Sequence, residues 1–197
     1  FREGKGEQLR GRISEELWND LVHFEGNANA FRLLTHRFHG RREGGFVMTY
    51  ATLASIVKYP HSSFCAGKKG KFGFFASEEA YYRRIAEDLG LRQLSAEGEP
   101  LRCVRHPLVY LVEAADDICY EIMDIEDAHK LRILSFDETA QLLLGFFSEK
   151  EREHIYSRIS EEEITDNNEK VVYMRACAIG RLEHECARAF GESEEDI

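Results

Sequence analysis

The chain has 197 residues, of which 43% are hydrophobic and 31% are charged, so it can bury the core of one large domain and is not expected to be disordered. Its net charge of −10 argues against general binding to nucleic acid or acidic membranes, so an anionic ligand must be met by a local basic cluster. We expect neither a membrane-spanning segment nor a signal peptide, because no apolar run approaches about 20 residues.

The N-terminal half shows the hydrophobic periodicity of helices. In "SEELWNDLVHF" and "NANAFRLLTHRFH" the apolar residues recur at spacings of three and four. Thr49 is the predicted N-cap of a helix that Pro60 stops, and Ser77 is predicted to open another helix that closes at Gly90. The main irregular segment, residues 60 to 76, reads "PHSSFCAGKKGKFGFFA".

The C-terminal half continues the helical pattern. Pro107 suits the first turn of a long central helix. Ser135 with Glu138, and Ser148 with Glu151, form two predicted capping boxes. A last long helix is predicted from about Asn168 to Phe190, with Gly191 beyond its end.

These elements predict an all-α fold, with residues 1–197 forming a single helical domain and no convincing strand, repeat or low-complexity linker. The five cysteines are odd in number and include no C-x-x-C pair. This pattern predicts reduced thiols in a cytoplasmic protein and argues against a cysteine zinc site.

The central helix, "LVEAADDICYEIMDIEDAH", carries seven acidic residues. With about 100° per residue, Tyr120 and Asp124 fall within about 80° of Asp116 on a helical wheel, on a front that also carries Glu113 and Asp127. The apolar positions fall on the opposite side: Leu111, Ala115, Ile118, Ile122 and Ile125. The helix is therefore expected to be amphipathic, with one acidic face.

A solvated surface is the simplest interpretation of such a face. Two features favour a binding site instead. Lys130 is the only lysine available to pair with the acids, and Tyr120 lies in the middle of the acidic stripe. Carboxylates beside a hydroxyl suit a divalent cation with a phosphorylated ligand, although the scattered histidines complete no metal site.

The segment "AGKKGKFGFF" is a basic island in an acidic chain. Its glycines allow backbone N–H groups to approach an anion, and its lysines supply positive charge. It is not a Walker A sequence, and a plain surface turn is an equal alternative. Its phenylalanines predict that one side packs inward, and the preceding "VKYP" puts Lys58 and Tyr59 at a helix end within plausible reach.

Three segments together resemble the bacterial deoxyguanosinetriphosphate triphosphohydrolases (dGTPases) of the HD-domain phosphohydrolase superfamily. They are "HFEGNANAFRLL", "VKYP" followed by "GKFGFFASEEAY", and "HPLVYLVEAADDICYEIMDIEDA". The resemblance covers about residues 21 to 131, and extends more loosely through "YMRACAIGRL". It implies a helical, HD-domain-like bundle and hydrolysis of dGTP to deoxyguanosine and inorganic triphosphate.

The resemblance also implies a divalent metal, magnesium or manganese, held by a His, a His-Asp pair and a distant Asp. Asp116 matches that distant Asp. Tyr120 and Asp124 match positions that contact the sugar of the substrate.

Four further residues match positions that bind the triphosphate in the family. They are Asn27 in "FEGNA", Lys58 and Tyr59 in "VKYP", and Lys71 in "GKFG", with Lys69 as the alternative to Lys71.

The chain departs from the family pattern because it contains no His-Asp pair. We therefore expect the central part of a longer enzyme, without the N-terminal HD helices, the catalytic residues or the C-terminal part, and inactive by itself. The family further implies a homo-oligomer, often a hexamer, and a possible effector that is single-stranded DNA or a dNTP. Two alternatives stay open: a related phosphohydrolase with another nucleotide preference, and a non-catalytic helical module for nucleotide binding, single-stranded DNA binding or oligomerisation.

Overall fold

A computed structural model of the chain describes residues 4–37, 39–40 and 45–193. Within these ranges the secondary structure is helical, with two isolated β-bridges and no β-strand, so the predicted all-α class is confirmed. The α-helices are α1 (Lys5–Arg10), α2 (Glu15–Val22), α3 (Gly26–Thr35), α4 (Tyr50–Ser55), α5 (Glu79–Asp88), α6 (Val109–Lys130), α7 (Phe136–Leu143), α8 (Glu149–Glu161) and α9 (Asn167–Glu192). Two short 3-10 helices, η1 (Ser63–Cys65) and η2 (Gly67–Lys69), lie in the irregular segment before α5.

Three predicted helix starts are confirmed by their side chains. The Thr49 hydroxyl accepts a hydrogen bond from the Thr52 amide at the start of α4. Ser135 and Ser148 open α7 and α8 with complete capping boxes, in which the glutamate three residues on accepts a hydrogen bond from the cap residue's amide. These local signals fix helix starts because they satisfy amides that have no partner within the helix.

Two of the predicted helix boundaries, one start and one end, were wrong. Glu78 is the N-cap of α5 and makes no capping hydrogen bond with its side chain, whereas the Ser77 hydroxyl donates to the Glu78 carboxylate. Gly191 lies inside α9, which continues to Glu192, because glycine permits but does not require the left-handed conformation that ends a helix. Pro107 lies in a turn two residues before α6 begins.

The chain divides into two compact units, Phe1–Val112 and Glu113–Ile197. Compact units can occur within one domain, so the prediction of a single domain stays a prediction. In the first unit the core contains Phe31, Phe74 and Tyr82, all fully buried. The Phe74 and Tyr82 rings stack at 4.8 Å between centroids, and Phe31 meets Tyr82 edge-on at 5.7 Å. This aromatic core anchors α5 and the segment that precedes it.

The second unit has its own core, built from α6, α7, α8 and α9. Ile122 of α6, Leu143 of α7 and Met174 of α9 are at most 1% exposed. The isoleucines of the predicted apolar face thus pack into this core, whereas Ala115 on the same face is exposed. None of the described helices combines the length and apolar composition needed to cross a membrane.

Candidate functional site

The acidic face of α6 is exposed. Asp116, Tyr120 and Asp124 lie on solvent-accessible positions of the helix, and the Tyr120 side chain is 67% exposed. Their side chains form no hydrogen bond or ion pair with the part of the chain that the structure describes. The carboxylates and the tyrosine hydroxyl are therefore available to a ligand.

One of the seven acids does not belong to that face. Glu126 is 2% exposed and lies among the apolar residues of the second unit. Its carboxylate accepts hydrogen bonds from Lys130 Nζ at 2.6 Å and from Arg175 of α9 at a very short distance. Burial raises the pKa of Glu126, but the hydrogen bonds from Lys130 and Arg175 outweigh this effect and hold it below its ordinary value.

Sequence reasoning missed the position of Glu126. The helical wheel contained the signal, since about 100° per residue places Glu126 next to Ile122 on the apolar side. The partner Arg175 is 49 residues away in the sequence, so only the fold could reveal it. Arg175 joins Lys130 as a basic partner for the acids of this helix.

In the first unit, two of the predicted triphosphate-binding residues meet at one buried carboxylate. Glu25, 6% exposed, is the N-cap of α3. Its Oε2 accepts the backbone amides of Asn27 at 2.6 Å and Ala28 at 3.3 Å. Its Oε1 accepts the Asn27 side-chain amide at 2.8 Å and Lys71 Nζ at 3.0 Å.

These contacts favour the charged forms of both groups. Burial raises the pKa of Glu25, but the hydrogen bonds from Lys71 and Asn27 are together stronger and leave it below its ordinary value. The hydrogen bond to Glu25 raises the pKa of Lys71. The lysine is therefore a fixed positive charge at neutral pH.

Lys58 and Tyr59 lie close enough to Lys71 to act on its pKa electrostatically, Tyr59 raising it and Lys58 lowering it. Asn27 and Lys71 thus meet at Glu25, and Lys58 and Tyr59 act on the pKa of Lys71, although the four residues come from three separate stretches of sequence. We call this group, together with Glu25, the basic cradle.

The segment that carries Lys71 approaches the "VKYP" turn at Gly73. The Gly73 amide donates to the His61 carbonyl at 3.1 Å. A Cβ at Gly73 would overlap the Tyr59 carbonyl and the Val57 side chain, so only glycine fits this approach. This contact sets the spacing between Tyr59 and Lys71.

A second buried carboxylate holds both ends of the same segment. Asp20 of α2, 6% exposed, accepts the Ser63 hydroxyl at 2.5 Å and the Ala76 amide at 2.7 Å. Burial raises the pKa of Asp20, and the two hydrogen bonds only partly offset this. Asp20 joins the start of the irregular segment to its end.

The aromatic side of the segment packs inward, as predicted. Phe72 is fully buried and Phe75 is 5% exposed, and both pack with Ala28 of α3 in a small cluster. Lys68 and Lys69, in contrast, are exposed on η2. The packing thus distinguishes Lys71, which is held by Glu25, from its neighbouring lysines.

A complete metal site is not present in the described residues, which contain no group of three or more His, Cys, Asp or Glu side chains placed to hold a metal ion. Asp116 offers one exposed carboxylate, which suits one ligand of a divalent cation. One carboxylate alone does not fit the full coordination of such an ion.

The chain is similar over its whole length to curated proteins of one kind. It is 37% identical over 201 residues to a deoxyguanosinetriphosphate triphosphohydrolase-like protein of Pseudomonas aeruginosa. The alignment covers 100% of this chain and 44% of that relative. A protein of the same name from Synechocystis is 36% identical over 187 residues, which is 90% of this chain and 40% of the relative. A deoxyguanosinetriphosphate triphosphohydrolase of Enterobacter is 31% identical over 165 residues, 80% of this chain and 30% of the relative.

The chain thus spans less than half the length of these curated relatives. No protein-family model matches it. The resemblance to the deoxyguanosinetriphosphate triphosphohydrolases that the motifs predict is thus confirmed along the whole chain.

Proposed function

We propose that the whole protein that carries this chain hydrolyses dGTP to deoxyguanosine and inorganic triphosphate, in the presence of magnesium or manganese. One water is consumed: its hydroxyl ends on the triphosphate, and its proton ends on the 5′-oxygen of the deoxyguanosine. The observation that carries the proposal is the basic cradle, found in a chain that is similar throughout to triphosphohydrolase-like proteins.

A cradle of this kind suits a triphosphate better than a neutral ligand. Lys58 and Lys71 place two positive charges near one another in a chain whose net charge is −10, so attraction of an anion must be local. Asn27 adds amide hydrogens, and lysine ammonium groups are common phosphate binders. In this proposal these residues hold the triphosphate throughout the reaction.

The acidic face of α6 has a different part in the proposal. Asp116 contributes one carboxylate ligand to the divalent ion, whose chemistry is to polarise a phosphoryl oxygen and activate water. Tyr120 and Asp124 contact the deoxyribose through their hydroxyl and carboxylate groups. The described residues contain no group that completes the coordination and the sequence contains no His-Asp pair, so the 197-residue chain alone is proposed to be inactive.

The proposal extends to the protein's surroundings. A hydrolase of dNTPs works where these nucleotides are found, which places it in the cytoplasm. We also propose that it assembles as a homo-oligomer, for instance a hexamer, and that single-stranded DNA or a dNTP acts as its effector.

Product analysis tests the reaction. The whole protein is incubated with each of the four dNTPs and with magnesium or manganese, and the phosphate products are separated by anion exchange. We expect intact triphosphate with deoxyguanosine, in equal amounts and fastest from dGTP. Release of orthophosphate or pyrophosphate instead would contradict the triphosphohydrolase proposal, and faster hydrolysis of another dNTP would contradict only the dGTP preference.

The same assay on the isolated chain tests whether it is inactive. We expect no triphosphate above a heat-denatured control. Measurable release with either metal would show that the chain holds a complete site.

A further inference from the structure

We infer that Glu25 is a positioning residue for the polyphosphate, acting through Asn27 and Lys71 and not through contact with the ligand. This inference rests on the proposed function, because it assigns a part to a residue of the same cradle. Glu25 is negatively charged, so direct contact with a triphosphate would be repulsive. Its place beside two anion-binding residues therefore needs another explanation.

The hydrogen bonds supply that explanation. The Glu25 carboxylate receives four donors: two backbone amides of α3, the Asn27 side-chain amide and Lys71 Nζ. Two carboxylate oxygens have about four acceptor positions, so this carboxylate is fully used. With its charge compensated and its side chain buried, it presents no open acceptor to a ligand.

The two side chains that donate to Glu25 still have hydrogens available for a ligand. An amide nitrogen carries two hydrogens and an ammonium group carries three, so Asn27 and Lys71 each spend one hydrogen on Glu25 and keep others for an anion. Since both are held by the same oxygen, Oε1, their remaining hydrogens are fixed relative to each other. A ligand with several phosphate oxygens gains from this arrangement, because the side chains lose less freedom when it binds.

The burial of the two partners supports the same assignment. The Glu25 side chain is 6% exposed whereas that of Lys71 is 48% exposed. The buried carboxylate therefore holds the lysine from the protein interior, and the lysine side chain stays partly open to solvent. Lys69, on exposed η2, has no such anchor among the described contacts.

A double-mutant cycle on the whole protein tests the inference. The dissociation constant of inorganic triphosphate is measured by calorimetry for the wild type, Glu25→Gln, Lys71→Ala and the double variant, with thermal unfolding of each recorded in parallel. We expect Glu25→Gln to weaken binding about tenfold when Lys71 is present and less than about twofold in the Lys71→Ala background. The reason is that the effects of substitutions at coupled residues are not additive.

Asp166→Asn is the matched control. Asp166 is also an acidic N-cap, and it accepts the same two amide positions of its helix, from Asn168 and Glu169, but it holds no lysine. We expect it to leave triphosphate binding within about twofold of the wild type and to change stability little, because asparagine caps a helix about as well as aspartate does.

Two failures are distinguishable. If Lys71→Ala leaves triphosphate binding unchanged, the proposed place of Lys71 in the triphosphate site is wrong. If Lys71→Ala weakens binding but Glu25→Gln weakens it by the same factor in both backgrounds, the site stands and the positioning part of Glu25 is overturned.

Discussion

The basic cradle and the acidic face of α6 carry the two groups of predicted site residues, and they are built in opposite ways. In the cradle, the buried Glu25 carboxylate accepts four hydrogen bonds and holds the Asn27 and Lys71 side chains, while Asp20 accepts two more from the two ends of the segment that carries Lys71. On α6, the predicted site acids lie exposed on a regular helix, whereas the buried acid Glu126 is paired with Arg175. The comparison teaches that an irregular segment needs specific contacts to place its side chains, whereas a helix places them by its own geometry.

The largest expected effect concerns the exposed face. Asp116→Asn in the whole protein should abolish turnover and metal binding while the helix stays folded, because an amide is a poor substitute for a charged metal ligand. Asp117→Asn is the neighbouring control, since Asp117 is rotated by about 100° around the helix and should keep the metal. Metal content and circular dichroism of both variants check the prediction. Loss of metal in Asp117→Asn with retention in Asp116→Asn would show that the helical phase is wrong.

The buried acid of α6 should behave differently. Arg175→Ala should lower the free energy of unfolding by roughly 3 kcal/mol, because it leaves the buried Glu126 carboxylate with only part of its compensation. Arg188→Ala is the control, because Arg188 lies on α9 as Arg175 does. Its ion pair with Glu192 is exposed and 4.0 Å long, so the substitution should cost less than about 0.5 kcal/mol. Denaturant unfolding measures both. Equal losses would contradict the structural part assigned to Glu126.

In the cradle, the effect on the reaction should be smaller than the loss of a metal ligand. Lys58→Ala should lower kcat/KM for dGTP at least about tenfold, which corresponds to about 1.4 kcal/mol. The physical reason is the loss of one of the positive charges that are proposed to hold the triphosphate. Steady-state kinetics of the whole protein measure it, and an unchanged kcat/KM would remove Lys58 from the site.

The smallest expected effect is a pH dependence of stability. Since the pKa of Glu25 lies below its ordinary value in the folded chain, its charge contributes stability above pH 4.5, and this contribution is lost as the pH falls through the folded pKa. Asp20 has the opposite sign: its pKa is raised, so its contribution is present below pH 3.8 and is lost as the pH rises through the folded pKa.

Glu25→Gln should therefore destabilise by about 1 kcal/mol at pH 7 and by less in acid. Asp20→Asn removes a carboxyl group whose pKa is raised. The loss of stability that it causes should therefore not become smaller in acid, as the loss in Glu25→Gln does. Denaturant unfolding between pH 3 and pH 7 compares the two variants. A loss in Glu25→Gln that grows as the pH falls would contradict the assigned direction.

Much of this arrangement follows from sequence because it depends on local rules. Helical periodicity gave the all-α class, and Thr49, Ser135 and Ser148 marked helix starts through hydrogen bonds to nearby amides. The exposed positions of Asp116 and Asp124 follow from the helical wheel.

The rest depends on contacts between residues that are distant in sequence. Glu25 meets Lys71 across 46 residues, and Asp20 meets Ala76 across 56, and neither pairing has a local signal. The choice between Lys69 and Lys71 could not be made from the alternation of glycine and lysine alone. The structure distinguishes the two lysines by one contact, since Glu25 holds the Lys71 ammonium group, and the part of Lys71 in binding stays a prediction.

The affinity for inorganic triphosphate of the whole protein, compared between Lys71→Ala and Lys69→Ala, tests the central claim most directly. Both variants remove one positive charge from the same segment, but among the described contacts Glu25 holds Lys71 and not Lys69. We expect a dissociation constant that is at least about tenfold larger for Lys71→Ala and within about twofold of the wild-type value for Lys69→Ala. Equal weakening in both variants, or weakening confined to Lys69→Ala, would contradict a triphosphate cradle held in place by Glu25.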